Sequence, residues 1–393
     1  MNERFDQVLN REGLCSVKLE LTPKSVRKSG NLTMWGAEFD FPTADFVCEA
    51  LSKWALEGAY PYTMETGSFR ELVSGWMKKH RKWNVEPEWV VSTYGISYSL
   101  AVAARAFTEA GDSIVSLDPG YDNYWKSVIK CGRKKLGSKM QYNGTSYCID
   151  WDDLEEKLSD PSSKMLVMIN PQNPTGKVFS DDELRGIAAL ARKYDVIIFS
   201  DEIFAECVYD GVEMKTFGQI DAEVKVITAT SLGKWLSFTG TNQANMIIPD
   251  AGLRSLFKEE MERTYYGSIN PMMIPAYKAA YTNRGEEWIR EFMSYIQGNL
   301  ETAESYINNL HGFHCVRPEG TFILWVDATG FCGDEETLRD FLTEQAHFHV
   351  DMSSQYFGEP GFFRMNLAMP RAELIRNLKS LEKAVTSTGF LTE

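Results

Sequence analysis

The sequence contains no C-x-x-C pair, no H-E-x-x-H run and only five histidines, which removes the usual zinc chemistries from consideration. Its seven cysteines, Cys15, Cys48, Cys131, Cys148, Cys207, Cys315 and Cys332, are scattered and odd in number, so no disulfide framework is indicated. They are expected to be buried thiols. His347 and His349 lie close together but have no cysteine or second ligand motif beside them, so structural or surface roles are expected for both and no metal is expected.

Long apolar runs are also missing, none reaching the roughly 20 residues of a membrane-spanning helix. The start, Met1-Asn2-Glu3-Arg4-Phe5-Asp6, lacks the basic region and apolar core of a secretion signal, so a cytoplasmic location is expected. Positive charge is in short supply: 41 Lys and Arg face 55 Asp and Glu, a net charge of -14 that argues against nucleic acid or an anionic membrane as partner. No repeat or low-complexity linker occurs. With 44% hydrophobic and 24% charged residues the composition is that of a globular protein, and 393 residues are more than one core usually fills, so two domains are expected.

What is present is a set of strands that end on chemistry. Val224-Lys225-Val226-Ile227-Thr228-Ala229-Thr230 alternates β-branched residues and runs through Ser231-Leu232-Gly233 into Lys234. Lys164 to Ile169 likewise runs into Asn170-Pro171-Gln172-Asn173-Pro174-Thr175-Gly176, and Val196 to Phe199 into Ser200-Asp201-Glu202. In open α/β sheets ligands sit beyond the carboxyl ends of strands. Lys234 taken alone could open a surface loop, and Asp201 could be a helix cap or turn residue. Together, an amine, a carboxylate and an amide at one sheet edge are what pyridoxal phosphate requires: a Schiff-base lysine, an anion beside the pyridinium nitrogen and a donor to the phenolate oxygen.

Along the chain, the first forty residues read as polar and irregular. Pro42-Thr43 can open a helix through Cys48, Leu51 and Trp54, and a second helix carries Leu72, Trp76 and Met77 on one side. On pattern alone Tyr62 reads as a packing tyrosine. From Trp89 strands and helices alternate: strand 89–93, helix 98–110, strand 113–117, helix 124–130, then a helix over 181–194 behind the acidic turn Ser180-Asp181-Asp182-Glu183. The turn Thr93-Tyr94-Gly95-Ile96-Ser97 offers free N–H groups to a phosphate, as many α/β turns do. Tyr121, after Asp118-Pro119-Gly120, could lie against a planar cofactor or pack on the sheet. Strand 244–248, helices over 254–264, 274–281 and 286–310, strands 321–327 and 362–368 and a helix over 372–385 complete the expected order. Arg364 falls among aromatic and apolar residues, so its charge should meet an anion, either a protein carboxylate or a ligand.

The segments Asn170 to Gly176, Ser200-Asp201-Glu202-Ile203, Ser231 to Lys234 and Phe362-Phe363-Arg364-Met365-Asn366 together resemble the class I and II aminotransferase superfamily, the fold-type I pyridoxal phosphate enzymes, over nearly the whole chain. Met34 to Pro42, Ser237 to Ile248 and Asn283 to Trp288 resemble most the carbon-sulfur β-lyases of the cystathionine β-lyase and cystalysin group, as does Asn242 where many aminotransferases have a phosphate-binding arginine. The resemblance implies an α/β three-layer sandwich with a mostly parallel sheet and a smaller α+β domain, divided as 1–45, an N-terminal arm and part of the small domain, 46–283, the large cofactor-binding domain, and 284–393, the C-terminal small domain.

It further implies that Lys234 carries the pyridoxal 5'-phosphate and moves the substrate α-proton, that Asp201 pairs with the pyridine nitrogen, that Asn173 donates to the phenolate and that Tyr121 stacks on the ring. Gly95, Ile96 and Ser231 would hold the phosphate, joined by Tyr62 from the partner subunit of a homodimer. Arg364 would clamp the α-carboxylate of an amino acid substrate, with Gly36 and Ala37 nearby. The implied activity is β-elimination from cystathionine or another cysteine S-conjugate; transamination uses the same residues, and a regulatory cofactor-binding protein is a third possibility. Phe204 departs from the pattern, since relatives carry tyrosine or histidine there and phenylalanine cannot donate a hydrogen bond.

Overall fold

The computed structural model describes residues 3–264 and 269–389. Thirteen strands occur among them: β1 Val90–Thr93, β2 Ser113–Asp118, β3 Lys134–Lys139, β4 Gln141–Tyr142, β5 Tyr147–Cys148, β6 Ser163–Ile169, β7 Ile197–Asp201, β8 Val226–Thr230, β9 Ala244–Ile247, β10 His314–Val316, β11 Ile323–Asp327, β12 Asp351–Met352 and β13 Phe362–Asn366. Seven build one sheet in the order β1-β9-β8-β7-β6-β2-β3. The pairs β2–β3, β2–β6, β6–β7 and β7–β8 are parallel, while β9 runs against both β8 and β1.

The alternation along β6 explains the layering. Leu166 and Met168 face one side, where they pack with Leu154, Leu184 and Ile187 from helices Trp151–Ser159 and Asp181–Lys193. Met165, Val167 and Ile169 face the other side, against Leu100, Trp125 and Phe257 from helices Ile96–Phe107, Asn123–Lys130 and Ala251–Arg263. A parallel sheet covered on both faces needs such nearly continuous apolar strands. The acidic turn at Ser180 is a full capping box: Glu183 N donates to Ser180 Oγ (3.2 Å) and Ser180 N to Glu183 Oε2 (2.9 Å).

A second, antiparallel sheet has the order β10-β11-β13-β12 and lies with helices Asn283–Ile307 and Arg371–Ser387. The segment before residue 41 is stitched to it. Met34 N donates to His349 O, Asn366 N to Met34 O and Asp40 N to Ala368 O. His349 has the structural role expected of it, its Nδ1 lying 2.7 Å from Thr33 Oγ1.

Four expectations need correction. The first forty residues are not merely irregular: they contain short helices Val17–Glu20 and Lys24–Ser29 and bury Phe5, Val26 and Lys18. Lys18 is held by Asp40 at 2.6 Å, with Arg11 also on Asp40 at 3.2 Å, and losing either member of the Lys18–Asp40 pair would strand a buried charge at a cost of about 3–5 kcal/mol. The cysteines are not uniformly buried; only Cys207 and Cys315 are, while Cys15, Cys48 and Cys148 are exposed. Tyr62 does not pack within the chain, being 107% exposed. The helix expected over 98–110 is Ile96–Phe107, because Gly95 caps it at φ 86°, a left-handed value that a side chain would resist.

Candidate active site

Beyond the carboxyl ends of β6, β7 and β8 lies a cavity of about 400 Å³. Gly36, Ala37, Gly95, Ile96, Tyr121, Asn173, Asp201, Ser231, Lys234 and Arg364 all line it. Of the residues singled out from sequence, Tyr62 stands outside that lining.

Lys234 follows β8 by four residues, and its Nζ donates to Ala37 O at 3.1 Å. Burial lowers its amine to about 8 and the nearby Arg364 charge pushes the same way, opposed by Glu38 and Asp201. A free amine is therefore accessible near neutrality, which is what attack on an aldehyde requires. Asp201 ends β7 at 1% exposure, and desolvation pushes its carboxyl up to about 6 despite the hydrogen bonds it accepts from Tyr124 Oη and Ile203 N. A carboxyl held in this way is suited to a cationic ring nitrogen.

Asn173 turns its Oδ1 to Arg364 Nη1 at 3.1 Å, leaving Nδ2 as a donor. Tyr121 accepts from Asn123 Nδ2 at 2.9 Å and meets Tyr124 edge-on, with ring centroids 5.1 Å apart. At the other end, the first turn of helix Ile96–Phe107 presents free N–H groups, which favour an anion together with the helix dipole. A Cβ at Gly95 would meet the Asn242 backbone only in ordinary contact at 3.7 Å, so it is the left-handed φ of 86° that favours glycine at this turn. Ser231 Oγ accepts from Gly233 N (3.0 Å) and donates to Gln243 O (2.7 Å), so a phosphate contact would require its hydroxyl to turn. Amine, ring-nitrogen partner, phenolate donor and anion cradle thus fit pyridoxal phosphate.

Chain similarity agrees with this geometry. The model for aminotransferase class I and II matches residues 48–381. The chain belongs to that family. It is 29% identical over 386 residues to cystathionine beta-lyase PatB of Bacillus subtilis, covering 97% of this chain and all of that one. It is 25% identical to a probable aspartate/prephenate aminotransferase of Aquifex aeolicus, over 95% and 99% of the two chains. The structure of cystalysin from Treponema denticola, which contains pyridoxal 5'-phosphate, superposes with a TM-score of 0.94 at 26% identity, covering 98% of this chain and 99% of that one.

Two site residues escaped the sequence reading. Tyr124 looked only like the start of a helix, yet lies one turn beyond Tyr121 and holds Asp201. Burial and the Asp201 carboxylate raise its hydroxyl well above the usual range, which keeps it a donor. Asp351 lies in a stretch without clear periodicity and pairs with Arg364.

Phe204 is fully buried, and Lys234 Nζ lies 5.6 Å from its ring centroid. No hydrogen bond can come from that ring to the cofactor phenolate or the amine. Phe204→Tyr is expected to shift the pH at which the visible absorbance of the bound cofactor changes, because a new donor favours the anionic form of its acceptor. Identical titrations for wild type and variant would remove Phe204 as the cause of any difference from relatives.

Proposed function

We propose that this protein is a pyridoxal phosphate-dependent carbon-sulfur β-lyase acting on cystathionine or a related cysteine S-conjugate, giving a thiol, pyruvate and ammonia. The convergence of Lys234, Asp201, Asn173 and Arg364 on one cavity supports the cofactor chemistry, and the relatives named cystathionine beta-lyase carry the choice of outcome. When bound, the cofactor supplies an aldehyde for amine capture and an electron sink for the α-carbanion. Lys234 Nζ removes the α-proton and returns a proton to the departing sulfur or the carbon skeleton. Asp201 keeps a proton on the ring nitrogen, and Arg364 with Asn173 orients the α-carboxylate so that the Cα–H bond faces the amine.

The lining favours elimination over transamination of acidic amino acids. Its acidic residues Glu38, Asp122, Asp201 and Asp351 face Lys126, Lys234 and Arg364, and no second arginine lines it among the described residues. Lys126 is already paired with Asp122 at 3.7 Å and Asn123 at 2.5 Å. A carboxylate on a side chain as short as that of aspartate or glutamate would find no second arginine there. The rival reading, an aminotransferase, is favoured by relatives that carry that name. The deciding assay supplies cystathionine to the loaded protein. Thiol and pyruvate in equal amounts are expected; a new amino acid formed from a keto acid without thiol would establish transamination, and neither product would favour a regulatory role.

The same proposal includes a cytoplasmic homodimer with shared sites and the division into arm 1–45, large domain 46–283 and C-terminal domain 284–393. Full exposure of Tyr62 and the exposed neighbours Leu56, Tyr60 and Met64 support an intersubunit role, which sedimentation over a range of protein concentrations would test. The two separate sheets support the division.

A further inference from the structure

Arg364 is not vacant. Asp351 stands directly across from it in the β12–β13 ladder, so the pairing is built into the register of the small sheet. Both side chains are buried, and a single oxygen, Asp351 Oδ2, accepts from Arg364 Nη2 at 2.6 Å, Arg364 Nε at 3.1 Å and Gly36 N at 3.0 Å. Nη1 holds Asn173 Oδ1 at 3.1 Å. The Nε–Nη2 edge of the guanidinium and the Gly36 N–H are therefore already occupied by a carboxylate, leaving an incoming one at most the Nη1–Nη2 end of the same cation. Charge balance matters as much as geometry. A second carboxylate on this arginine would sit within a few ångströms of the first, where like charges repel with little screening.

We propose that Asp351 is a specificity-determining internal carboxylate: it shares Arg364 with the substrate and weakens the binding of acids that lack an α-amino group. This rests on the reading of Arg364 as the α-carboxylate site. An amino acid has a second anchor, its amine at the cofactor end of the cavity, and gains Arg364 despite the competitor. A simple acid or a 2-oxo acid has only the contested arginine. The 2-oxo product of elimination is thereby released readily, and keto-acid acceptors of transamination are held poorly. This matches the outcome favoured for the site.

The test titrates the cofactor-loaded enzyme with propionate and with its neutral counterpart propionamide, following heat of binding. It compares wild type, Asp351→Asn, Asp351→Ser, Arg364→Gln and the double variant Asp351→Asn/Arg364→Gln, each checked to be folded at the assay temperature. Propionate is expected to bind about tenfold or more tightly to both Asp351 variants than to wild type, with propionamide unchanged. Unchanged or weakened propionate binding in the folded Asp351 variants would overturn the proposal and leave Asp351 as a positioning residue for Arg364. Tightening of propionamide by the same factor would also overturn it, since the gain would then be space and not charge. Were Arg364→Gln to leave propionate binding in an Asp351→Asn background untouched, the Arg364 reading itself would fail, a result distinguishable from the others.

Discussion

Lys234→Ala is expected to abolish the covalent hold on the cofactor and to lower turnover at least about 10³-fold, since in the function proposed above one side chain serves as both attachment point and proton carrier. After borohydride treatment and denaturation, wild type should retain the cofactor on the peptide containing residue 234, while the variant should release all of it. The cavity is otherwise complete without the amine: the Asp201 carboxyl, the Asn173 amide and the helix N-terminus at Ile96 remain, so the variant should still take up cofactor noncovalently. Retention of covalently fixed cofactor in the variant, with activity intact, would defeat the assignment of Lys234.

Asp201→Asn should reduce turnover by about 10²–10³-fold, because an amide cannot stabilise a cationic ring nitrogen as a buried carboxylate does. It has a second signature in the cofactor-free protein. Burial pushes the Asp201 carboxyl from 3.8 up to about 6, so the folded chain holds a proton there that the unfolded chain releases. Folding stability contributed by this group is therefore intact below about pH 4 and falls as pH rises to about 6, by about 3 kcal/mol. The variant lacks that loss and should melt higher than wild type above pH 6 once stripped of cofactor, while being far less active when loaded. Equal pH profiles of melting would show that Asp201 carries no strain of burial.

The large sheet was legible because its strands are long, apolar and end on conspicuous residues. Lys234 and Asn173 follow, and Asp201 ends, a strand whose buried pattern admits few alternatives, and their meeting at one edge follows from parallel pairing. The elements missed have weak local signals. Strand β3, Lys-Lys-Leu-Gly-Ser-Lys, is an edge strand with a single fully buried position, so it lacks an apolar run. Strand β12 is two residues long, and its importance comes from the partner it faces, not from its composition. Tyr124 could not be distinguished from any aromatic on a helix until the helix was laid against β7. Tyr62 was misjudged because an aromatic in a turn-rich stretch carries no local sign of whether it packs within its own chain, and it is exposed.

The two sheets divide the work of the cavity. Lys234, Asp201 and Asn173 stand at the rim of the seven-stranded sheet, whereas Arg364 and Asp351 belong to the four-stranded one, and Gly36 rides on the segment sewn to it. The distance from the Lys234 amine to the Arg364 guanidinium is therefore a property of how the two sheets are placed. Asn173 and Arg364 bridge the two, Oδ1 to Nη1 at 3.1 Å, so the width of the cavity at that point is latched by a bond between the sheets.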